Sequence, residues 1–208
     1  THPDVADGFD AAFAIDPIYI TVEAVLEVTP ELVADALGDE GRRELDRVRA
    51  EKTVDYKAVR ALKRRVLTKA FDRFRERELA KDTPRSRELF AFVERESAWL
   101  RDHALYAALR AKHNGYGWST WPEDERDRSA AILALASSPR DDGDEGLGTR
   151  VLEQMYLQWL AHEQWHQARQ ELKRMGVLLM GDMPFIVGSE SADVWAHREQ
   201  FQTDVSLG

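Results

Sequence analysis

The sequence contains no cysteine. This rules out disulfides, cysteine-ligated zinc, thiolate nucleophiles and iron–sulfur clusters, and it is compatible with a reducing compartment. Long apolar runs are also missing. Every apolar run, VLLM at residues 177–180 among them, is far short of a bilayer span, and nothing resembles a signal peptide. A soluble, cytoplasmic protein without a membrane partner is expected. Positive charge is in deficit, with 29 Lys plus Arg against 38 Asp plus Glu and a formal charge of −9, which disfavours nucleic acid and anionic lipid. At 208 residues and 23.8 kDa the chain can build one core, or one core with a small helical lobe.

What is present is mostly helical patterning. Residues 1–20, THPDVADGFDAAFAIDPIYI, hold two prolines and a glycine before an alternating IYI, and read as a loop leading to a short extended stretch. Thr29 as N-cap, Pro30 at the first helical position and Gly38 as a stop describe a short helix. Over residues 54–80, Val59, Leu62, Val66, Ala70, Phe71 and Phe74 recur three or four apart and share one helical face. The opposite face carries Arg60, Lys63, Arg64, Lys69 and Arg73. It reads as solvated charge balanced by Asp72, Glu76 and Glu78 rather than as a polyanion stripe.

Pro84 and Ser86 interrupt this pattern, and SRELFAFVERESAWLRDHALYAALRAKH supplies one or two helices ending at Asn114-Gly115. The loop GYGWSTWPEDERDR concentrates Tyr116, Trp118 and Trp121, which either form a platform for a sugar or base or pack on the neighbouring helices. SSPRDDGDEGLG reads as a loop; Asp141, Asp142, Asp144 and Glu145 lack the EF-hand spacing for calcium. Residues 149–175 form a long helix with Leu152, Met155, Tyr156, Trp159, Leu160, Trp165 and Leu172 on its apolar stripe, ended by Gly176. The run VLLMGDMPFIVG then reads as a strand buried on both faces, so that helix, turn and strand make the second half of a β/α unit.

Two places suggest chemistry. His162, Glu163 and His166 spell H-E-x-x-H on a helix, the spacing with which two imidazoles grip one zinc while the carboxylate acts as base. A third ligand is needed, however. His197 does not fit the extended pattern, Glu190 would have to reach back past a buried strand, and Trp159 and Trp165 indicate a packed helix. The zinc reading is therefore set aside. The other place is Asp182, the lone carboxylate of the apolar run, where an unpaired charge would be costly. At the C-terminal end of a barrel strand it would meet a ligand; otherwise it caps or bonds a neighbouring loop.

The stretch GVLLMGDMPFIVGSESADVWAHREQF resembles the strand and rim loop of the 4-α-glucanotransferases called amylomaltases or disproportionating enzymes, glycoside hydrolase family 77 of the α-amylase clan. The resemblance extends backwards, in the family's order, through LQWLAHEQWHQAR, WSTWPEDERDR, ESAWLRDHALYAALRAKH, VDYKAVRALKRRVLTKAF and AFAIDPIYI, so it covers roughly residues 12–201. It implies a helix-rich α/β fold, the early and incomplete part of a (β/α)₈ barrel with a large helical insertion. Residues 1–28 would be a barrel-entry loop and short strand, 29–148 the insertion, and 149–208 a barrel helix, strand and rim loop.

The implied activity is transfer of α-1,4-glucan segments between maltooligosaccharides by retaining double displacement, with one carboxylate as nucleophile and another as acid and base. No metal or organic cofactor is implied. The implied partners are the glucan and the C-terminal part of the barrel. By the same resemblance Asp182 lies near the sugar at the cleavage point, Gly181 and Pro184 shape the strand end, and Ser191, Asp193 and Trp195 fix the rim of the cleft. Trp195, Trp118 and Trp121 are candidate sugar contacts, Phe13 and Pro17 match the family's start, and Gln164 and Trp165 match a helix outside the barrel. The family's R-I-D-H-F-R-G-like nucleophile segment, E-D-L-G-like acid/base segment and T-H-D-like segment do not occur in the sequence, nor does its S-P-Y-like opening before Gly8. The expectation is a portion of a glucanotransferase that alone transfers no glucan. The alternatives are a zinc metallopeptidase or a non-enzymatic helical sugar-binding module.

Overall fold

Thr29 starts the first long helix, its Oγ1 accepting a bond from Leu32 N at 3.3 Å while Pro30 occupies the first helical position. In this computed structural model, which describes residues 12–139, 143, 146–181 and 187–202, helix α1 runs Pro30–Ala50. Gly38 does not end it. At φ 58°, ψ −167° it breaks the helical geometry locally, and the chain then resumes the helix. The expected stop is a kink.

Helix α2, Tyr56–Arg77, is capped by Asp55, which accepts from Ala58 N at 3.0 Å. It buries Leu62, Val66, Leu67, Ala70, Phe71 and Phe74, the face the periodicity assigned. Leu62 and Val66 pack with Ala36 and Leu37 of α1, and each large apolar side chain buried this way contributes roughly 1.5–3 kcal/mol. The opposite face is not simply solvated. Lys63 Nζ donates to the carbonyls of Ile18 and Ile20 at 2.6 and 2.8 Å, Arg73 to that of Glu27 at 3.3 Å, and Arg60 pairs with Asp16 at 2.5 Å. These bonds hold residues 15–28 as two short 3₁₀ turns, Pro17–Tyr19 and Val22–Ala24, in place of the expected IYI strand. A strand needs a pairing partner, and among the described residues none lies alongside.

Pro84 begins helix α3, Pro84–Arg95, instead of interrupting one. Helix α4, Ser97–Lys112, stops as expected where Asn114 and Gly115 adopt φ 53° and 84°. Two short helices were not anticipated: α5, Glu123–Arg126, inside the tryptophan loop, and α6, Ala130–Ser137, capped by Ser129. Helix α7 spans Leu147–Arg174, and α8 is the short Ala192–Ala196. On α7 Leu152, Met155, Tyr156, Trp159 and Leu160 are buried, but Trp165 is 47% exposed. The buried stripe ends at Ala161, about three turns before Leu172, the last position the sequence assigns to it.

The chain packs as two compact units, one of Ile15–Ala91 with Tyr156–Gly176, the other of Thr1–Ala14, Phe92–Met155 and Val177–Gly208. Packing thus groups segments that chain order separates. The first unit is centred on α1 and α2, with Phe74 4.9 Å from Tyr156 and 5.8 Å from Trp159, ring centroid to ring centroid. In the second, α4 packs with α6 and α8.

Among the described residues there is no strand. The apolar run after Gly176 is exposed over its described part, Leu178 at 93% and Met180 at 98%, and Gly181 is exposed as well. This differs from the doubly buried strand expected. A parallel strand takes its hydrogen bonds and both covers from neighbours, which the described residues do not provide. Asp182 and Pro184, and likewise Asp141, Asp142, Asp144 and Glu145, lie outside the described residues.

At Gly38 a Cβ would meet nothing within 4 Å, so Gly38→Ala isolates the backbone conformation itself. A loss of about 1–3 kcal/mol in urea unfolding is expected, since this φ/ψ region is nearly closed to residues with a Cβ.

Candidate functional site

The sequence-predicted rim residues and aromatic candidates meet in the unit built around α4 and α8. Ser191 caps α8 by accepting from Val194 N at 3.3 Å, and Asp193 Oδ2 accepts from Ala12 N at 2.8 Å. This ties the S-A-D-V-W segment to the backbone beside Phe13. Trp195 is fully buried. Its Nε1 donates to Glu125 O at 3.2 Å, and the Arg128 guanidinium stands 4.6 Å from its ring.

Trp121 is buried too, donating to Tyr116 O at 2.9 Å and stacking on His113 with centroids 5.5 Å apart. Trp118 donates to Ser189 O at 2.9 Å beneath Arg198. Tyr106 lies between Trp121 and Trp195, 5.4 and 5.8 Å away, and its hydroxyl donates to Glu190 O. All three indoles therefore spend their N–H groups inside the unit. Their place here is packing, not an open sugar platform.

Two polar features accompany this aromatic layer. Glu190 accepts from Ser119 Oγ at 2.8 Å, and its carboxylate lies so close to Gly117 that a Cβ there would collide with it. Glu125 is buried and bonds both Lys112 and His113. Burial pushes its carboxyl up, but the Lys112 and His113 hydrogen bonds outweigh this and hold it below the ordinary carboxylate range.

Between α4 and α8 lies a hollow of about 160 Å³ whose walls include Phe13, Trp99, Asp102, His103, Asp193 and His197. His103 is 8% exposed and its Nδ1 has no hydrogen-bond partner. Burial pushes its pKa down to about 4, so the imidazole is neutral near pH 7. Asp102 is held by Arg128 at 2.7 Å.

The H-E-x-x-H residues sit on α7 in the other unit. Gln170 Nε2 lies 2.6 Å from His166 Nε2, and burial raises the Glu163 carboxyl against the lowering influence of Arg85. Among the described residues no three His, Asp or Glu side chains gather in a way that would hold a metal. Gln164, inside the motif, secures backbone instead, its amide bonding both N and O of Thr21 at 2.8 and 3.1 Å.

Comparison with known proteins places this arrangement. The family model described as 4-alpha-glucanotransferase, glycoside hydrolase 77, matches residues 10–208. The chain belongs to the 4-alpha-glucanotransferase family. A 4-alpha-glucanotransferase of Thermus thermophilus is 40% identical over 152 residues, covering 73% of this chain and 28% of the relative. That of Synechocystis sp. is 34% identical over 202 residues, 95% of this chain and 36% of the relative. The chain thus spans about a third of the length of these relatives. In fold it is similar to the amylomaltase of Streptococcus agalactiae solved in complex with acarbose, with a TM-score of 0.67 at 22% identity over 91% of this chain and 35% of that one.

Several residues that shape this part of the glucanotransferase chain escape a reading of the sequence, namely His103, Glu125 and Gln158, whose buried amide bonds both N and O of Ile15. His103 carries a usable signal: a lone histidine among Leu100, Ala104 and Leu105 on a helix whose apolar face surrounds it. Its depressed pKa makes stability depend on pH. The unfolded chain takes up a proton below about 6.5 and the folded one only near 4, so the stability is complete above pH 6.5 and is lost as pH falls. Between pH 7 and 5 wild type should lose about 2 kcal/mol more than His103→Phe in denaturant unfolding, by the linkage of one such group.

Proposed function

We propose that these 208 residues are the part of a 4-α-glucanotransferase that forms one side of its glucan cleft, and that the whole protein passes α-1,4-glucan segments between maltooligosaccharides. The observation that carries this reading is the family match over residues 10–208, in a sequence that contains the G-D-x-P and S-A-D-V-W segments together. The acarbose held by the Streptococcus agalactiae amylomaltase supports an oligosaccharide substrate. The fold proposed for the whole is a (β/α)₈ barrel, in which the apolar run from Val177 pairs with strands contributed by further sequence and Asp182 reaches the strand end. Asp193 and Ser191, by securing α8 and the chain entry, keep the rim in place beside it.

The chemistry proposed is retaining, needing a carboxylate nucleophile and a second carboxyl group that acts first as acid and then as base. Segments like those that carry these groups in the family are not among the 208 residues, so the contribution of this part is binding and positioning. No metal or organic cofactor enters the proposal. A cytoplasmic location accords with the cysteine-free composition, and no helix among the described residues is long and apolar enough to cross a membrane.

Incubated with maltotriose, the chain alone should release no glucose and build no longer oligomers; turnover would refute the assignment of catalysis to further sequence. Joined in one polypeptide to the remaining length of the Thermus thermophilus relative, it should transfer. In that chimera Asp182→Asn should lower kcat/KM by about a hundredfold or more, the scale of losing a charged contact made in the transition state.

A further inference from the structure

We propose that the consecutive residues Asp127 and Arg128 are positioning residues for glucan transfer: together they clamp α8 and the turn after it, and so set where the S-A-D-V-W segment stands at the rim of the cleft. The role rests on the reading of that segment as the rim. Both residues lie in the short connection between α5 and α6. Arg128 Nη2 donates to Asp102 Oδ1 on α4 at 2.7 Å, and the Arg128 guanidinium stands 4.6 Å from the ring of the fully buried Trp195 on α8. Asp127 Oδ1 accepts from Arg198 Nη1 at 2.9 Å, and the Arg198 guanidinium lies 4.3 Å over the Trp118 ring. Arg198 opens the 3₁₀ turn Arg198–Gln200. Two neighbouring side chains thus grip the segment at two points, one within α8 and one just beyond its end.

Two local rules are broken at this clamp. Arg128 has φ 58°, the left-handed region that a residue with a long side chain rarely enters. Arg128 Nη1 and Arg198 Nη2 are also buried without a hydrogen-bond partner, and each guanidinium faces an indole ring in place of a further acceptor. A glycine at position 128 would relieve the backbone, and a neutral side chain would remove the unmatched donor. Strained backbone and unmatched buried donors persist where the surrounding structure over-determines them, and they concentrate at functional sites. Charge keeps the second contact closed. Bonds from Arg126 and Arg198 hold the Asp127 carboxyl well below the usual carboxylate range, so it is ionised near neutral pH.

Kinetics separate a clamp from mere core packing. A variant that only unfolds more easily loses active molecules, so kcat falls at unchanged KM. One that displaces the rim weakens glucan binding in the ground and transition states alike, so KM rises while kcat is kept. The variants are assayed with maltotriose in the chimera with the Thermus thermophilus relative. Arg128→Gly, which relieves the backbone while removing the guanidinium, should raise KM about tenfold and leave kcat within about twofold of wild type. Arg128→Lys keeps a charge for Asp102 but offers Trp195 no planar face, and should recover only part of the loss. Asp127→Asn, at an exposed side chain where folding is not at stake, should raise KM about threefold, the scale of a partly exposed ion pair. Urea unfolding of the same variants follows their stability separately. The positioning role is overturned if Arg128→Gly lowers kcat at unchanged KM, if it leaves both constants as in wild type, or if Asp127→Asn leaves KM unmoved. A chimera that transfers no glucan with Asp127 and Arg128 in place overturns the transfer reading and this role together, whereas an active chimera whose variants keep their KM overturns the role alone.

Discussion

Irregular backbone must find partners for its peptide groups, and that constraint organises this chain. A buried N–H or C=O left without one costs about 1–3 kcal/mol, so a non-helical segment can lie against a core only where something bonds it. Here the helices provide side chains for the purpose. Gln158, 1% exposed on α7, bonds both N and O of Ile15, at 2.9 and 2.8 Å, in the manner of a strand neighbour. Gln164 does the same for Thr21 further along the helix, and Lys63 covers Ile18 and Ile20 from α2. In the other unit the donors are aromatic. Trp118, Trp121 and Tyr106 each give their one polar side-chain hydrogen to a loop carbonyl, and Trp195 gives its own to Glu125 O of the short α5. The bulk of each ring fills the core while its polar edge secures a turn.

Buried charge follows the same logic of saturation. Glu27 is nearly inaccessible, yet Arg85 Nε donates to Oε1 at 2.8 Å, Arg85 Nη2 reaches Oε2 at 3.2 Å, and the Tyr156 hydroxyl donates to Oε2 at 2.8 Å. Arg85 in turn lies 4.6 Å from the Trp159 ring, so its own charge faces a π-surface instead of water. Removing one member would leave the other charges uncompensated, which costs far more than the pair contributes as a whole. Glu125, between Lys112 and His113, repeats the arrangement in the α4 unit. Both networks tie residues near a loop to a helix.

The segments that carry the family resemblance differ from these saturated interiors. Family membership attaches to the ordered segments from Phe13 to the S-A-D-V-W helix, and what that helix does locally is visible: Ser191 caps it, Asp193 secures the chain entry and Trp195 anchors it in the aromatic layer. The apolar run after Gly176 differs in kind, because its side chains are exposed where the apolar faces of the helices are covered. In the proposed barrel that exposure disappears through pairing with further strands.

The major helices are legible in the sequence. Their signals are local: a cap at Thr29, an apolar residue every three or four positions from Leu62 to Phe74, a left-handed stop at Asn114-Gly115, and Gly176 after α7. Family membership is legible as well, since several segments keep one order along the chain. Gly38 reads as a stop because a glycine signals the break and not whether the helix resumes. Tertiary structure decides what the polar and aromatic side chains do. Gln158 meets Ile15 across 143 positions, and Trp195 meets Glu125 across 70. No periodicity encodes such distances, so a tryptophan bound for the core and one bound for a sugar look alike in sequence. Lys63 looks solvated for the same reason. The repeat specifies which face of a helix is apolar, while only the packed chain brings to the other face the carbonyls that need a donor.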